Sequence, residues 1–147
     1  MNNKALSHVA LYTSDFDRSI DFYTNGLGMK LVRQWGTPER RTALYDFGNG
    51  TGLELFERSN VKKDIPDTAC TGAYWHYAIE VDDVEQAYQQ ALDHGATVRS
   101  EPYTCHNDAK PTDMDARIAF VFGPDHELIE FYRWLTADEI RRERGQS

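Results

Sequence analysis

The stretch from Tyr74 to Val81 reads Tyr-Trp-His-Tyr-Ala-Ile-Glu-Val. From Tyr77 onward its odd-numbered residues are apolar, and successive side chains of a β-strand point to opposite faces of the sheet. The stretch therefore predicts a strand with one apolar face, and it places His76 on the other face. The same order of His, apolar, Ala, apolar occurs in Ser7-His8-Val9-Ala10-Leu11. This repetition is the observation from which the fold prediction follows.

The repeat continues beyond the two strands. In both halves the histidine is followed seven residues later by an aspartate that opens a helical pattern. Both halves end in a strand with a glutamate between two apolar residues. The equivalent pairs are His8 and His76, Asp15 and Asp83, and Glu54 and Glu130. Such internal similarity indicates one module that has been duplicated.

Each half is predicted to follow the order strand, helix and three strands. The fold class is therefore α+β, with two tandem βαβββ modules forming a curved mixed sheet around a cleft. We expect a single domain over residues 1–147, with module one at about 5–58, a connector at 59–73, module two at about 74–134 and a C-terminal helix at about 136–145. Thr136 and Glu139 have the spacing of a capping box at the start of that helix.

The second module is predicted to contain a short strand near 96–99 and then a long loop at 100–116, which includes Cys105 and His106. Loops of this length in compact domains are often functional lids. Among the remaining histidines, His94 is expected to cap a helix and His126 to lie in a turn.

Composition limits the classes of function. The 147 residues carry 24 acidic and 16 basic side chains, a net charge of −8, and the basic residues form no long stripe, so nucleic-acid binding is disfavoured. The apolar runs are too short to cross a membrane, and the N-terminus lacks the apolar segment of a secretory signal. A cytoplasmic protein that acts on a small molecule is the expectation.

The recurring residues suggest a metal site. His8, Glu54, His76 and Glu130 all lie on predicted strands, so they can converge if the modules face a shared cleft. Two imidazoles and two carboxylates suit a divalent ion such as Ni²⁺, Co²⁺, Zn²⁺ or Mn²⁺. Such an ion polarises a carbonyl, and a ligand glutamate that can leave it is a natural base. Glu130 is the first choice for this base and Glu54 the second. Taken singly, each residue is also explained as part of the polar face of an amphipathic strand.

Several motifs resemble the vicinal oxygen chelate superfamily, which contains glyoxalase I, extradiol dioxygenases, methylmalonyl-CoA epimerase and fosfomycin and bleomycin resistance proteins. These motifs are Asp17-Arg18-Ser19-Ile20-Asp21-Phe22-Tyr23 before Gly26-Leu27-Gly28-Met29, His76 with Asp82-Asp83, and Gly123-Pro124-Asp125 before Ile129-Glu130-Phe131. The resemblance covers about residues 6–134.

The ligand set distinguishes the branches of this superfamily, and His8, Glu54, His76 and Glu130 all match the glyoxalase I branch. The resemblance implies a metal-dependent lyase or isomerase of methylglyoxal detoxification. Such an enzyme converts the hemithioacetal of a 2-oxoaldehyde and a thiol to a hydroxyacyl thioester. The resemblance also implies a homodimer whose interface can complete the site.

Two residues depart from the glyoxalase I pattern. Tyr12 stands where an arginine usually holds a glutathione carboxylate, and Arg58 replaces an asparagine four residues after the second ligand. Both share strand faces with predicted ligands, so we expect them to border the cleft and to help select the substrate.

Other functions remain open on the sequence alone. The same scaffold supports epimerisation, ring cleavage with Fe²⁺ and the opening of an epoxide. A resistance protein that binds a drug without chemistry is another alternative, with an aromatic cleft formed by residues such as Trp35, Tyr74 and Trp75.

Overall fold

The computed structural model describes residues 6–58, 75–107 and 114–144. The first module contains β1 His8–Thr13, α1 Phe16–Asp21, β2 Lys30–Thr37, β3 Arg40–Asp46 and β4 Gly52–Glu57. The helix α1 continues into a π-helical turn, Phe22–Gly26. Asp15 begins α1 because its carboxylate accepts a hydrogen bond from the backbone N–H of Arg18.

The second module contains β5 Tyr77–Glu80, α2 Val84–Asp93, β6 Thr97–Asn107, β7 Met114–Phe122 and β8 Leu128–Trp134. Asp83 caps α2 through the backbone N–H of Gln86, as Asp15 caps α1. The final helix, α3 Ala137–Glu143, begins with the predicted capping box of Thr136 and Glu139. No helix among the described residues is long and apolar enough to span a membrane.

Each module forms its own four-stranded mixed sheet, in the orders β1-β4-β3-β2 and β5-β8-β7-β6. The pairs β1 with β4 and β5 with β8 are parallel, and the remaining pairs are antiparallel. The predicted α+β class with two tandem βαβββ modules is confirmed.

The prediction of a long loop at 100–116 is wrong for most of that span. Strand β6 continues from Thr97 to Asn107, and β7 begins at Met114. Pro102 suggests a loop, but β6 lies at the edge of its sheet, where a residue without a backbone N–H is tolerated. The ladder is irregular between Ser100 and Tyr103, on either side of this proline. The predicted connector at 59–73 lies outside the described residues.

The core forms between the helices and one face of each sheet. Odd-numbered residues of the central strands are fully buried, among them Leu53 and Leu55 in β4 and Ile129 in β8. They pack in one cluster with Phe22 and Val84 from the helical layer. The even-numbered residues of the same strands therefore face away from the core, and Glu54 and Glu130 belong to this set.

The two modules are joined by the turn between β7 and β8. Asp125 in this turn accepts hydrogen bonds from the Thr13 hydroxyl at 2.7 Å and from the backbone N–H of Ser14 at 3.1 Å. Two residues later, Glu127 accepts one from the hydroxyl of Tyr23. These contacts fix the second module against the residues that precede and follow α1 in the first.

Candidate functional site

The first candidate pair lies at the beginning of module one. Parallel pairing of β1 with β4 places Ala10 beside Glu54, so His8 and Glu54 share one sheet face. Nε2 of His8 is 3.5 Å from Oε2 of Glu54. The His8 side chain is 45% exposed, and its Nδ1 lies 3.3 Å from the Ser7 hydroxyl oxygen. We call His8 and Glu54 the first half-site.

The second pair occupies the equivalent place in module two. His76 directly precedes β5, and Ala78 lies beside Glu130 in the parallel ladder. Nε2 of His76 is 3.0 Å from Oε2 of Glu130. The His76 side chain is only 22% exposed. Its Nδ1 is buried and has no hydrogen-bond partner in the described part of the chain. We call His76 and Glu130 the second half-site.

The four predicted ligands are thus brought together as two pairs on two sheets. Among residues 6–58, 75–107 and 114–144, no group of three or more His, Cys, Asp and Glu side chains is placed to hold a metal ion. One chain therefore presents two half-sites, and the expected convergence of all four side chains is not seen within the described residues.

The chemistry of each half-site fits a divalent ion. Each offers one imidazole nitrogen and one carboxylate oxygen, a donor set that suits first-row divalent metals. Two ligands that are each about 2.1 Å from an ion and roughly at right angles lie about 3 Å apart. The separations of 3.5 Å and 3.0 Å between Nε2 and Oε2 are close to this spacing. Each half-site can therefore supply two adjacent ligands.

The residues expected at the border of the cleft lie beside the first half-site. The Arg58 guanidinium carbon is 4.4 Å from the centroid of the Tyr12 ring, a cation–π contact. Tyr12 is 57% exposed and packs on Phe56 at a centroid distance of 6.2 Å. No carboxylate pairs with Arg58 in the described part of the chain.

The surroundings of the second half-site are acidic and aromatic. By strand position, Glu80 and Trp134 are the counterparts of Tyr12 and Arg58. Burial, and then the nearby carboxylates of Glu80 and Glu130, raise the pKa of the Tyr132 hydroxyl. The two half-sites therefore present faces of different charge, although each contains one histidine and one glutamate.

A further polar cluster contains His106, which the sequence pattern places in a loop. It lies in β6 directly across from Asp115 in β7, and its Nδ1 is 2.5 Å from the Asp115 carboxylate. Nε2 of the same ring is 3.3 Å from Glu143, and Arg144 also binds Asp115. Hydrogen bonds from His106 and Arg144 hold the pKa of Asp115 below its ordinary value. The cluster fixes α3 against the β6–β7 hairpin and lies apart from both half-sites.

His94 is the C-cap residue of α2, as expected, and its Nδ1 is 3.7 Å from Asp21. His126 lies in the turn that joins the modules, with its ring stacked on Phe122. Neither histidine contributes to a half-site.

Comparison with known proteins identifies similar sequences and folds. Residues 5–131 match the model of the Glyoxalase/Bleomycin resistance protein/Dioxygenase superfamily. The chain is 35% identical over 141 residues to a lactoylglutathione lyase of Neisseria meningitidis, covering 91% of this chain and 94% of that protein. It is 36% identical over 131 residues to a lactoylglutathione lyase of Escherichia coli O157:H7, covering 85% of this chain and 89% of the relative.

Solved structures agree with these sequence relatives. A trypanothione-dependent glyoxalase I of Leishmania major superposes with a TM-score of 0.67 at 29% sequence identity, over 99% of this chain and all of the other. The Leishmania enzyme is named for trypanothione, whereas the bacterial relatives are named for glutathione.

Proposed function

Since the chain belongs to the glyoxalase/bleomycin resistance protein/dioxygenase superfamily and is an enzyme of the glyoxalase type, we propose that it is a divalent-metal-dependent lyase of the glyoxalase I kind. It converts the hemithioacetal of a 2-oxoaldehyde and a thiol to a hydroxyacyl thioester. The observation that carries this proposal is the presence of a His–Glu pair at the same place in both modules. In the cytoplasm, where thiols are abundant, this reaction would remove methylglyoxal.

The proposed ligands are His8, Glu54, His76 and Glu130, and the proposed ion is Ni²⁺, Co²⁺, Zn²⁺ or Mn²⁺. When bound, such an ion polarises the adjacent oxygens of the adduct and stabilises negative charge that develops on them. Glu130 removes the proton from the thiol-bearing carbon and delivers it to the neighbouring carbonyl carbon. The hydroxyl proton passes to the other oxygen, so substrate and product are isomers. Glu54 is the second candidate for the base.

We also propose that two copies of the chain assemble each site. The first half-site of one copy would meet the second half-site of the other, because the pairs lie on separate sheets within one chain. The faces that carry the half-sites support such an assembly. Their exposed aromatic residues are Tyr12, Trp35, Tyr103 and Trp134, which are 42–57% exposed. Exposed apolar surface of this kind is typical of protein interfaces.

Tyr12 and Arg58 are the proposed selectors of the thiol. The guanidinium stacked on Tyr12 has no carboxylate partner among the described residues, so it can bind a carboxylate of the thiol carrier. The relatives are named for glutathione and for trypanothione. The thiol of this enzyme therefore has to be found with a panel of thiols.

The deciding experiment measures thioester formation by protein loaded separately with Ni²⁺, Co²⁺, Zn²⁺ and Mn²⁺. Methylglyoxal is supplied with glutathione and with other cellular thiols, and bound metal is counted on the same samples. Glu130→Gln should lower kcat by about 10²–10⁴-fold, the usual contribution of a general base, while adduct binding persists. Glu101→Gln, an exposed glutamate on β6, is the matched control and should keep full activity.

The outcomes separate the parts of the proposal. Full activity of Glu130→Gln would rule out this base. Stoichiometric metal with no turnover on any adduct would keep the metal site and reject the lyase reaction. Epimerase, catechol and epoxide substrates would then be tested.

A further inference from the structure

The two half-sites orient their imidazole rings by different means. A histidine that binds a metal through one nitrogen usually donates a hydrogen bond from the other, and this bond fixes the direction of the ring. His8 has the Ser7 hydroxyl oxygen 3.3 Å from its Nδ1. The Nδ1 atom of His76 is buried without a hydrogen-bond partner in the described part of the chain. The direction of the His76 ring must therefore depend on another interaction.

Aromatic packing provides that interaction. The ring of Phe120 lies 5.6 Å from the His76 ring, centroid to centroid, at an interplanar angle of 85°. The ring of Trp75 lies 4.6 Å away at 72°. Both geometries are typical of favourable edge-to-face pairs of aromatic rings. Two such contacts restrict the rotation of the His76 ring.

Phe120 is also linked to the second member of the half-site. It lies directly across from Glu130 in the β7–β8 ladder. The counterpart of Phe120 in module one is Leu44, which lies across from Glu54. The aromatic ring is thus a feature of the second module alone, where the histidine lacks a hydrogen bond at Nδ1.

We propose that Phe120, assisted by Trp75, is a positioning residue for the second half-site. It holds the His76 ring so that Nε2 faces the Glu130 carboxylate at 3.0 Å, and it thereby preorganises both donors for a divalent ion. The inference rests on the proposed function in one respect, which is that the half-site binds a metal. It assigns to Phe120 the role that a hydrogen-bonding group has in most metal-bound histidines.

The test is the metal affinity of Phe120→Leu, which gives module two the residue found in module one. Titration calorimetry of the full-length protein with Ni²⁺ and Co²⁺ should show binding about tenfold weaker than in the wild type, the effect expected when the support of a ligand is lost. The visible spectrum of bound Co²⁺ should change as well, because the ligand directions change. Phe120→Tyr keeps the ring and should retain the metal affinity and the Co²⁺ spectrum of the wild type.

Phe122→Leu is the matched control, since it removes the same ring two residues along β7 at a position that stacks on His126. It should bind metal as the wild type does. If Phe120→Leu unfolds, Trp75→Ala replaces it, because Trp75 is 62% exposed, and its affinity should fall by about threefold.

The results distinguish this inference from the proposed function. Wild-type affinity and an unchanged Co²⁺ spectrum in Phe120→Leu would overturn the positioning role alone. Wild-type protein that binds neither Ni²⁺ nor Co²⁺ would overturn the metal site, and the proposed function with it.

Discussion

The two modules share a backbone plan but differ in the surroundings of their equivalent residues. Both begin their helix with an aspartate cap, and both place a histidine near a glutamate. His8 is about twice as exposed as His76, at 45% against 22%. Arg58 stands beside the first half-site and aromatic rings beside the second. The equivalent His–Glu pairs therefore have different surroundings, and under the proposed function we expect the first half-site to select the substrate and the second to carry the chemistry.

The largest expected effect concerns which copy supplies each half-site. His8→Ala and His76→Ala should each abolish thioester formation when purified alone. If sites form between copies, mixing and reassembling the two variants creates mixed dimers with one intact site, and statistical mixing should restore about one quarter of the wild-type activity. Activity is measured after denaturation and refolding of the mixture. Absence of any recovery from soluble mixed dimers would show that each site forms within one chain.

The turns between the last two strands offer a second comparison. Asp125 in module two binds Thr13 and Ser14 of the other module. Asp46, the last residue of β3, accepts hydrogen bonds from the backbone N–H groups of Gly48 and Gly50 in the equivalent turn of module one. Asp125→Ala should lower the free energy of unfolding by about 3 kcal/mol, because several hydrogen bonds to a largely buried carboxylate are lost. Asp46→Ala should cost clearly less, because its hydrogen bonds are exposed to solvent.

Urea unfolding of the two aspartate variants measures this difference. Equal losses would contradict the prediction. They would show that the contacts of Asp125 between the modules contribute no more stability than the local contacts of Asp46 within module one.

The same turn should give opposite responses to pH at two neighbouring carboxyl groups. Burial raises the pKa of Asp125, but hydrogen bonds from Ser14 and Thr13 outweigh it and leave the pKa below the ordinary value of 3.8. Its stabilising contribution is therefore present above that value and is lost as the pH falls through the lowered pKa. Burial raises the pKa of Glu127, so its contribution has the opposite sign and grows as the pH falls through the raised pKa.

Unfolding midpoints measured between pH 3 and pH 7 would test these signs. Relative to the wild type, Asp125→Asn should lose less stability in acid, and Glu127→Gln should gain less stability as the pH falls from neutrality. Parallel curves for both variants and the wild type would contradict the assignment.

The sequence alone predicts the paired modules because strand alternation and helix caps are local patterns. It also identifies His8, Glu54, His76 and Glu130 as a set by their equivalent positions. The contact of Thr13 with Asp125 joins residues 112 positions apart, and no local pattern indicates it. The sequence does not predict the full length of β6, because pairing at the edge of the sheet overrides the effect of Pro102.

The difference in charge between the half-site faces leads to a smaller prediction. Arg58→Ala should raise KM for adducts of a carboxylate-bearing thiol by about tenfold, the effect of one lost charge-assisted contact, with little change in kcat. Trp134→Ala, at the counterpart position on the second face, should change KM equally for adducts of charged and neutral thiols. Initial rates with a thiol and its amide derivative measure this selectivity. An equal rise in KM for both forms in Arg58→Ala would show that Arg58 does not recognise the carboxylate.

The smallest effect is expected at His126, the one described residue other than glycine with a positive φ, at 71°. Module one uses Gly48 and Gly50 for positive φ in the equivalent turn. His126→Gly should relieve backbone strain of about 1 kcal/mol, but it removes the ring stacked 4.4 Å from Phe122 and makes the unfolded chain more flexible. These terms oppose each other, so its unfolding free energy should change by less than about 0.5 kcal/mol. His126→Val keeps the strain and loses the stack, and it should destabilise by about 1–2 kcal/mol. If thermal melts show that glycine stabilises strongly, the stack on Phe122 contributes nothing, and module two has retained a strained turn that module one avoids.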